Sequence, residues 1–262
     1  MPVVHVNGIR FYYRMKGRGE PLLLIHGLGS SSRDWDWQVD VLAEKFQVIT
    51  PDLRGHGLSG KPAGPYSIGL FASDMTGLLE SLSCPSVHVV GLSLGGAVAF
   101  QLALDQPDRV RSLVIVNSSP EFIFRSFKEK FLLWQRIFMV RILGMRRVGV
   151  FLARRFFPSP EHAALRSVFV SRWAENDSRA YEQSLHALAG WSVKDRLDLL
   201  CCPALIISAD NDIIPFSHKE ICVRRMPHAR LVVIGNSRHA LPVERAEEFN
   251  RVLLAFYGKS DV

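Results

Sequence analysis

Short apolar runs alternate with amphipathic stretches along most of the chain. Each run is continuous, as in a strand that is buried on both faces of a sheet. The runs occupy positions 21–25, 46–50, 87–90, 110–116, 204–208 and 231–234. The stretches with helical spacing cover about positions 34–44, 67–82, 94–105, 216–225 and 243–256. This alternation predicts a mostly parallel sheet with helices on both faces.

The first residues have a different pattern, which predicts an N-terminal hairpin. Two short runs, at positions 3–6 and 9–13, flank the pair Asn7-Gly8. An Asn-Gly pair favours a tight hairpin turn, in which both residues take positive φ.

The strand–helix alternation stops after Asn117. Between positions 119 and 194 there is no convincing buried strand, and the segment is aromatic, basic and compatible with helices. We therefore predict a core domain of residues 1–118 and 195–262, with residues 119–194 forming a helical lid. Gly144 and Gly149 are expected to interrupt any single long helix in the lid. Most of its aromatic side chains are expected to pack the lid onto the core, with some lining a pocket.

Ser93 lies at the junction between the apolar run 87–90 and the helix predicted over 94–105, within the sequence Gly-Leu-Ser-Leu-Gly. A Gly-x-Ser-x-Gly motif between a strand and a helix is typical of a nucleophile elbow. The glycines permit close backbone approach, and the strained turn lifts the hydroxyl clear of the sheet. We predict that Ser93 is a nucleophile, which needs an adjacent base at neutral pH.

The base and its orienting acid are expected in loops at the carboxyl ends of later strands, where open α/β sheets bind ligands. His239 follows the run 231–234 and is the predicted base. Two aspartates, Asp210 and Asp212, follow the run 204–208. Asp212 is favoured as the acid that holds the imidazole tautomer. Asp210 stays open as an alternative, although it can instead cap the turn.

An oxyanion hole needs two backbone donors that point at the negative charge developing on the substrate. The amide of Leu94, directly after the nucleophile, is one predicted donor. The amide of Leu28, in the glycine-rich loop after the run 21–25, is the other. His26 begins this loop and is expected to organise it.

A further loop, at positions 52–59, contains aspartate, arginine, histidine and serine. These residues are too close together in the sequence to act as a triad. We expect a structural role, with turn hydrogen bonds and an Asp–Arg pairing.

Together these motifs resemble those of the α/β-hydrolase superfamily over nearly the full chain. The resemblance rests on His26-Gly27, the 52–59 loop, the Ser93 elbow and the loops of Asp212 and His239. It implies an eight-stranded, mostly parallel sheet flanked by helices, with the lid inserted after the sixth strand. It also implies a Ser-Asp-His triad, and a serine nucleophile argues against epoxide hydrolases and haloalkane dehalogenases.

The acid loop departs from the family pattern. Ala209 stands where the family usually has glycine, and the loop is one residue shorter before Pro215.

The positive charge of the chain is concentrated in one segment. The net charge is +7, and positions 121–155 hold nine basic and two acidic residues, which equals the whole excess. A solvated helical face is one interpretation, and a docking surface for an acidic partner such as an acyl carrier protein is another. The charges form no single stripe at 100° per residue, which disfavours binding to nucleic acid or to a membrane surface.

Composition excludes several other classes. No apolar run approaches the roughly 20 residues that cross a bilayer, and the first residues lack a signal-peptide layout. The four cysteines lack metal-ligand spacing and are expected to be reduced thiols. We expect a cytoplasmic monomer or homodimer with no cofactor, no metal and no stable membrane insertion.

The predicted function is hydrolysis of carboxylic esters through a serine acyl-enzyme, with small to medium apolar acyl esters as substrates. One alternative is a methyl-ester esterase whose acyl chain is held by an acyl carrier protein. Others are a C–C hydrolase, lyase or perhydrolase that uses the same triad, and a ligand receptor without turnover.

Overall fold

A central eight-stranded sheet organises the molecule. The computed structural model describes residues 2–258. The strands are β1 (Val3–Val6), β2 (Ile9–Lys16), β3 (Glu20–Ile25), β4 (Phe46–Pro51), β5 (Val87–Leu92), β6 (Val110–Val116), β7 (Ala204–Ala209) and β8 (Ala229–Ile234). Their spatial order is β1-β2-β4-β3-β5-β6-β7-β8. The prediction of an eight-stranded, mostly parallel sheet is confirmed.

Only the N-terminal end of the sheet is antiparallel. β1 pairs with β2, and β2 pairs with β4, in antiparallel register, whereas β4 to β8 pair in parallel. Asn7 and Gly8 have φ values of 46° and 77°, as the predicted hairpin turn requires. β2 continues beyond its predicted end at Tyr13 because residues 13–16 pair with β4.

Nine helices accompany the sheet within residues 2–258. They are α1 (Asp36–Leu42), α2 (Ile68–Ser81), α3 (Leu94–Asp105), α4 (Phe127–Phe156), α5 (Ala163–Ala174), α6 (Ser178–Leu188), α7 (Phe216–Arg225), α8 (Leu241–Glu244) and α9 (Ala246–Tyr257). Two predicted helices are subdivided. The stretch 34–44 begins as the 3-10 turn Ser32–Trp35, and the stretch 243–256 is divided between α8 and α9. In the described part of the chain no helix is both long enough and apolar enough to span a membrane.

Helices cover both faces of the sheet because alternate strand residues point to opposite sides. Leu23 and Ile25 of β3 pack in a cluster with α2 and α3. Leu22 and Leu24 of the same strand pack in a second cluster with α1 and α9. Both faces are therefore apolar, which explains the continuous runs in the sequence.

The segment between β6 and β7 carries the helices α4, α5 and α6, which share a third apolar cluster. The cluster includes Val148 of α4, Trp173 of α5 and Tyr181 of α6, and all three are buried. We call residues 119–194 the insertion. Its helical character agrees with the absence of strand patterns in the sequence.

The two glycines of α4 behave differently from each other. Gly144 has φ 73° and ψ 167° and kinks the helix. The expectation that Gly149 also interrupts the helix was wrong, because Gly149 lies buried within it. A Cβ atom at Gly149 would lie 2.8 Å from Cβ of Trp173. Gly149 thus permits close packing of α5 on α4.

Two groups of aromatic side chains in the insertion differ in their burial. Phe156, Phe157 and Trp173 are buried as expected. A second group lies on the solvent face of α4 and is 55–85% exposed: Phe127, Phe131, Trp134 and Phe138. Their spacing of three and four residues places them on one stripe of the helix, away from the cluster shared with α5 and α6.

Candidate active site

Ser93 occupies the sharp turn between β5 and α3. Its φ of 55° and ψ of −112° are strained for a residue with a side chain. Its amide donates a hydrogen bond to the carbonyl of Val116 (3.0 Å). A Cβ atom at Gly91 would lie 2.2 Å from the carbonyl oxygen of Gly95, and one at Gly95 would lie 2.2 Å from that of Ile25. The motif requires glycine at both positions because strand and helix backbones touch there.

The structure places His239 between Ser93 and Asp212. Nε2 of His239 lies 2.9 Å from Oγ of Ser93, and Nδ1 lies 2.6 Å from Oδ1 of Asp212. The histidine follows β8 and the aspartate follows β7, so the carboxyl edge of the sheet brings three distant loops together. This arrangement can move a proton from the hydroxyl to the imidazole and stabilise the imidazolium that forms.

The environment of Asp212 keeps its carboxylate charged. Burial by itself would raise the pKa of Asp212. The hydrogen bond and charge of His239, together with the Lys219 ammonium, outweigh burial and hold this pKa below its ordinary value. Asp212 is therefore anionic at neutral pH, which suits a group that orients and stabilises a charged imidazole.

Lys219 is a second partner of Asp212 that the sequence did not indicate. Its side chain is 1% exposed, and Nζ donates to Oδ2 of Asp212 (2.6 Å) and to the carbonyl of Ile214 (2.5 Å). Burial lowers the pKa of Lys219, and Asp212 offsets part of that effect. The only signal in the sequence is the position of this lysine in α7, directly after the acid loop.

Asp210, the alternative acid, has a different task. Its exposed carboxylate accepts the backbone N–H groups of Asn236 (2.9 Å) and Ser237 (3.0 Å). These hydrogen bonds hold the pKa of Asp210 low, although its slight burial acts in the opposite direction. Within residues 2–258 it makes no hydrogen bond to His239. Asp210 thus caps the turn that leads into the histidine loop.

Asn117 joins the two loops that carry the acid and the base, and the sequence analysis did not select it. Its Nδ2 donates to the carbonyls of Arg238 (3.1 Å) and His239 (3.0 Å), and its Oδ1 accepts the amide of Ala209 (2.8 Å). A polar residue directly after the buried strand 110–116 was the available signal, because that edge of the sheet holds the site.

The loop after β3 lies beside the nucleophile. A Cβ atom at Gly27 would be 3.6 Å from Cβ of Ser93. Within the described residues, neither the amide of Leu28 nor that of Leu94 donates a hydrogen bond. Leu94 is the first residue of α3, where helix amides lack intrahelical partners. Both amides are therefore free to bind an oxyanion.

His26 organises the Leu28 loop. Its Nε2 accepts the amide N–H of Leu53 (3.0 Å). This leaves the proton on Nδ1, which donates to the carbonyl of Gly27 (2.8 Å).

The loop at positions 52–59 makes structural contacts. Asp52 accepts the amides of Ser32 and Leu58, both at 2.7 Å. An Asp–Arg pairing exists, but Arg54 takes its partner from outside the loop: it forms a buried bidentate pair with Asp74 of α2, at 2.5 and 2.7 Å. No residue of the loop lines the cavity that holds Ser93.

Ser93 and His239 open into a cavity of about 360 Å³ between the core and the insertion. This volume is in the range of small-molecule sites. Apolar side chains from both parts dominate the wall, among them Leu28, Phe122, Leu133, Phe156, Phe169 and Leu185. The site can hold an apolar group next to the nucleophile.

Comparisons with known proteins agree with this architecture. A family model described as the alpha/beta hydrolase fold matches residues 20–246. The "Putative carbamate hydrolase RutD" of Azorhizobium caulinodans is 30% identical, and the alignment covers 100% of this chain and 100% of that protein. The "3-oxoadipate enol-lactonase 2" of Acinetobacter baylyi is 27% identical, over 97% of this chain and 98% of its own.

A solved structure is similar over the same extent. The thermophilic esterase of Thermogutta terrifontis superposes with a TM-score of 0.86 at 26% identity, covering 99% of this chain and 97% of the esterase. The family model spans most of the sequence. The chain therefore belongs to the alpha/beta hydrolase fold family and is a hydrolase.

Proposed function

We propose that this hydrolase is a serine carboxylesterase that acts on small to medium apolar acyl esters. The observation that carries the proposal is the continuous hydrogen-bonded series from Ser93 Oγ through His239 to Asp212, with distances of 2.9 and 2.6 Å. This series ends at a cavity whose wall is mostly apolar. An ester carbonyl next to Ser93 would have its acyl group in apolar surroundings.

The mechanism follows from the roles that these groups can take. Ser93 Oγ attacks the ester carbonyl while His239 removes its proton, and the amides of Leu28 and Leu94 bind the oxyanion. His239 then protonates the leaving alcohol, and an acyl-enzyme remains. Water, activated by the same imidazole, releases the acid and restores Ser93. Asp212 holds the imidazole in place and stabilises its charged form throughout.

The relatives support acyl transfer to water. An esterase, an enol-lactonase and a carbamate hydrolase are named for substrates in which a carbonyl carbon carries an oxygen substituent. Attack by one serine nucleophile, with one base and one oxyanion hole, can open each of these three kinds of bond. The mostly apolar wall favours esters with an apolar chain next to the reacting carbonyl.

The test is the variant S93A with p-nitrophenyl butyrate as substrate. We expect hydrolysis to fall to the background rate, because no other hydroxyl lies at His239 Nε2 in the described structure. The variant should keep its circular dichroism spectrum and its Tm, since alanine preserves the backbone of the elbow. A fluorophosphonate probe should label the wild type and not S93A. Retained turnover in a folded S93A protein would refute the proposal.

The same panel separates the alternatives. A C–C hydrolase or lyase would turn over diketones or cyanohydrins faster than simple esters, and a receptor would bind ligand without reacting with the probe. Either result would replace the carboxylesterase proposal.

A second candidate is a methyl-ester esterase whose acyl chain is held by an acyl carrier protein. Exposed cations on the insertion favour it: Arg146, Arg154 and Arg155 of α4 form no ion pair within residues 2–258. An acidic carrier would bind such a surface with an affinity that falls as salt screens the charges. Titration with an acyl carrier protein at two ionic strengths tests this partner.

A further inference from the structure

One arginine of the insertion, Arg136 of α4, stands in the wall of the cavity that contains Ser93. Its side chain is half-buried, and Nε donates to the hydroxyl of Tyr181 (2.6 Å). The guanidinium also lies over the Tyr181 ring, 5.6 Å from the ring centre. Tyr181 is itself buried, so the arginine is held from behind by a rigid aromatic side chain.

This cation is close to the reactive end of the cavity. A Cβ atom at Gly29, next to the predicted oxyanion donor Leu28, would lie 3.0 Å from Cε2 of Tyr181. A single aromatic ring therefore separates Arg136 from the Leu28 loop. Ser93 and Arg136 line the same cavity, so a substrate positioned at Ser93 can extend toward the guanidinium.

Arg136 lacks an acidic partner in the described chain, and the acids nearest to the cavity have other partners. No carboxylate of residues 2–258 lies within 4.0 Å of its nitrogens. The Glu129 carboxylate caps the start of α4 by accepting the amides of Arg125 and Ser126. Asp34, also in the wall, interacts with Ser30 and Arg172.

The second arginine of the wall is already engaged. Arg172 donates to the carbonyl of Arg33 (2.7 Å) and to the carboxylate of Asp36 (2.8 Å). Arg136 differs because only its Nε is used. Its two terminal nitrogens have no acceptor within the described residues, and together they match the two oxygens of a carboxylate.

We propose that Arg136 binds a carboxylate on the substrate, so that the preferred esters are those of dicarboxylic acids or of hydroxy acids. The inference rests on the proposed esterase function and defines its substrate class. The two terminal nitrogens of this half-buried guanidinium lack a protein acceptor within the described residues, and a substrate carboxylate supplies the missing partner. The rest of the wall then binds the methylene groups between the carboxylate and the ester.

The test compares esters with and without a free carboxylate. Every rate is corrected for the rate without enzyme, because the free carboxylate of a glutarate monoester can attack its own ester. On the acyl side, mono-p-nitrophenyl glutarate is compared with the same molecule capped as its methyl ester. On the alcohol side, 4-acetoxybenzoate is compared with methyl 4-acetoxybenzoate. We expect the wild type to prefer the charged ester in one of these arms by about 10- to 100-fold in kcat/KM, as for a charge-assisted bidentate contact.

The variant R136Q should remove that preference by raising KM for the charged ester about 10- to 100-fold, with kcat nearly unchanged. R136K keeps the charge without the planar fork and should retain part of the preference. The control R179Q removes an exposed positive charge from α6 outside the cavity and should leave the preference intact.

Two results would overturn the inference. One is a wild type with equal kcat/KM for the charged and the capped ester in both arms. The other is an R136Q variant that lowers kcat/KM equally for charged and capped esters. The wild-type comparison needs no variant, so it remains decisive if R136Q does not fold. Failure of the esterase proposal looks different, since neither charged nor capped esters would then show turnover that depends on Ser93.

Discussion

At the scale of single residues, two aspartates of one loop differ because their hydrogen-bond partners differ. Asp212 is buried between an imidazole and an ammonium, whereas Asp210 lies exposed and accepts two backbone amides. The sequence placed both in the loop after β7 and favoured Asp212 from its depth in that loop. The choice depends on which carboxylate faces His239, and this is a contact between residues 27 positions apart.

The pair offers a matched experiment on the orienting acid. D212N should lower kcat about 10⁴-fold, because the amide favours the wrong imidazole tautomer and cannot stabilise the imidazolium. D210N should leave kcat in the same order of magnitude and lower the free energy of unfolding by about 1 kcal/mol, through weaker capping of the histidine loop. Initial rates with p-nitrophenyl butyrate and urea unfolding separate the two effects. Equal losses of kcat would contradict the assignment.

Lys219 shows where residue-level prediction from the sequence fails. A lysine in an amphipathic helix is usually solvated, and nothing local distinguishes this one from its neighbours. Only the fold brings its ammonium 2.6 Å from a buried carboxylate. Asp212 therefore shares its charge between Lys219 and His239, and the lysine acts as a positioning residue for the base.

The variant K219M should change the pH dependence of the reaction. Burial raises the pKa of Asp212, and the Lys219 ammonium is one of the two groups that outweigh it. Without the ammonium the pKa of Asp212 should rise, so the carboxylate is lost at a higher pH and the acid limb of the kcat/KM profile should move to higher pH.

Loss of the buried pair should also lower the free energy of unfolding by about 3 kcal/mol. K45M, which removes an exposed lysine, is the control and should change neither quantity. An acid limb that stays in place in folded K219M would show that the lysine has only a structural role.

At the scale of elements, the sequence predicts those helices, strands and turns that are determined by local sequence patterns. The helix predicted over positions 216–225 coincides with α7, and Asn7-Gly8 makes the expected hairpin turn. The continuous apolar strands and the glycines of the Ser93 elbow are also predictable from the local sequence. A strand buried on both faces needs apolar residues throughout, and the close backbone approach at the elbow needs glycine. The predicted strands also locate the loops at their carboxyl ends, where the candidate site is found.

Elements that depend on distant partners are not predictable in this way. Gly149 has the same local effect on helix propensity as Gly144, yet only Gly144 kinks α4. The difference arises because Trp173 of α5 packs against the space that Gly149 leaves. Similarly, the partner of Arg54 is Asp74 of α2, although the nearest aspartate in the sequence is Asp52. In each case a tertiary contact overrides the local pattern.

At the scale of the whole molecule, the cavity exists because the insertion is anchored over the carboxyl edge of the sheet. Trp173 is central to this anchoring: it stacks on Phe169, contacts the Tyr181 ring, and fills the space above Gly29 of the core. The same side chain thus joins two helices of the insertion to the loop beside Ser93. Trp134, also in the insertion, is 72% exposed and has no such role.

Variants of the two tryptophans test which contacts of the insertion stabilise the folded protein. W173A removes a buried aromatic ring and should lower the free energy of unfolding by about 3–5 kcal/mol. W134A removes a ring that faces solvent and should change it by less than about 0.5 kcal/mol. Urea unfolding followed by circular dichroism measures both, and turnover of p-nitrophenyl butyrate reports the cavity. If W134A were as destabilising as W173A, the solvent face of α4 would have to be covered in the folded protein, and contacts around Trp134 would hold the insertion in addition to those around Trp173.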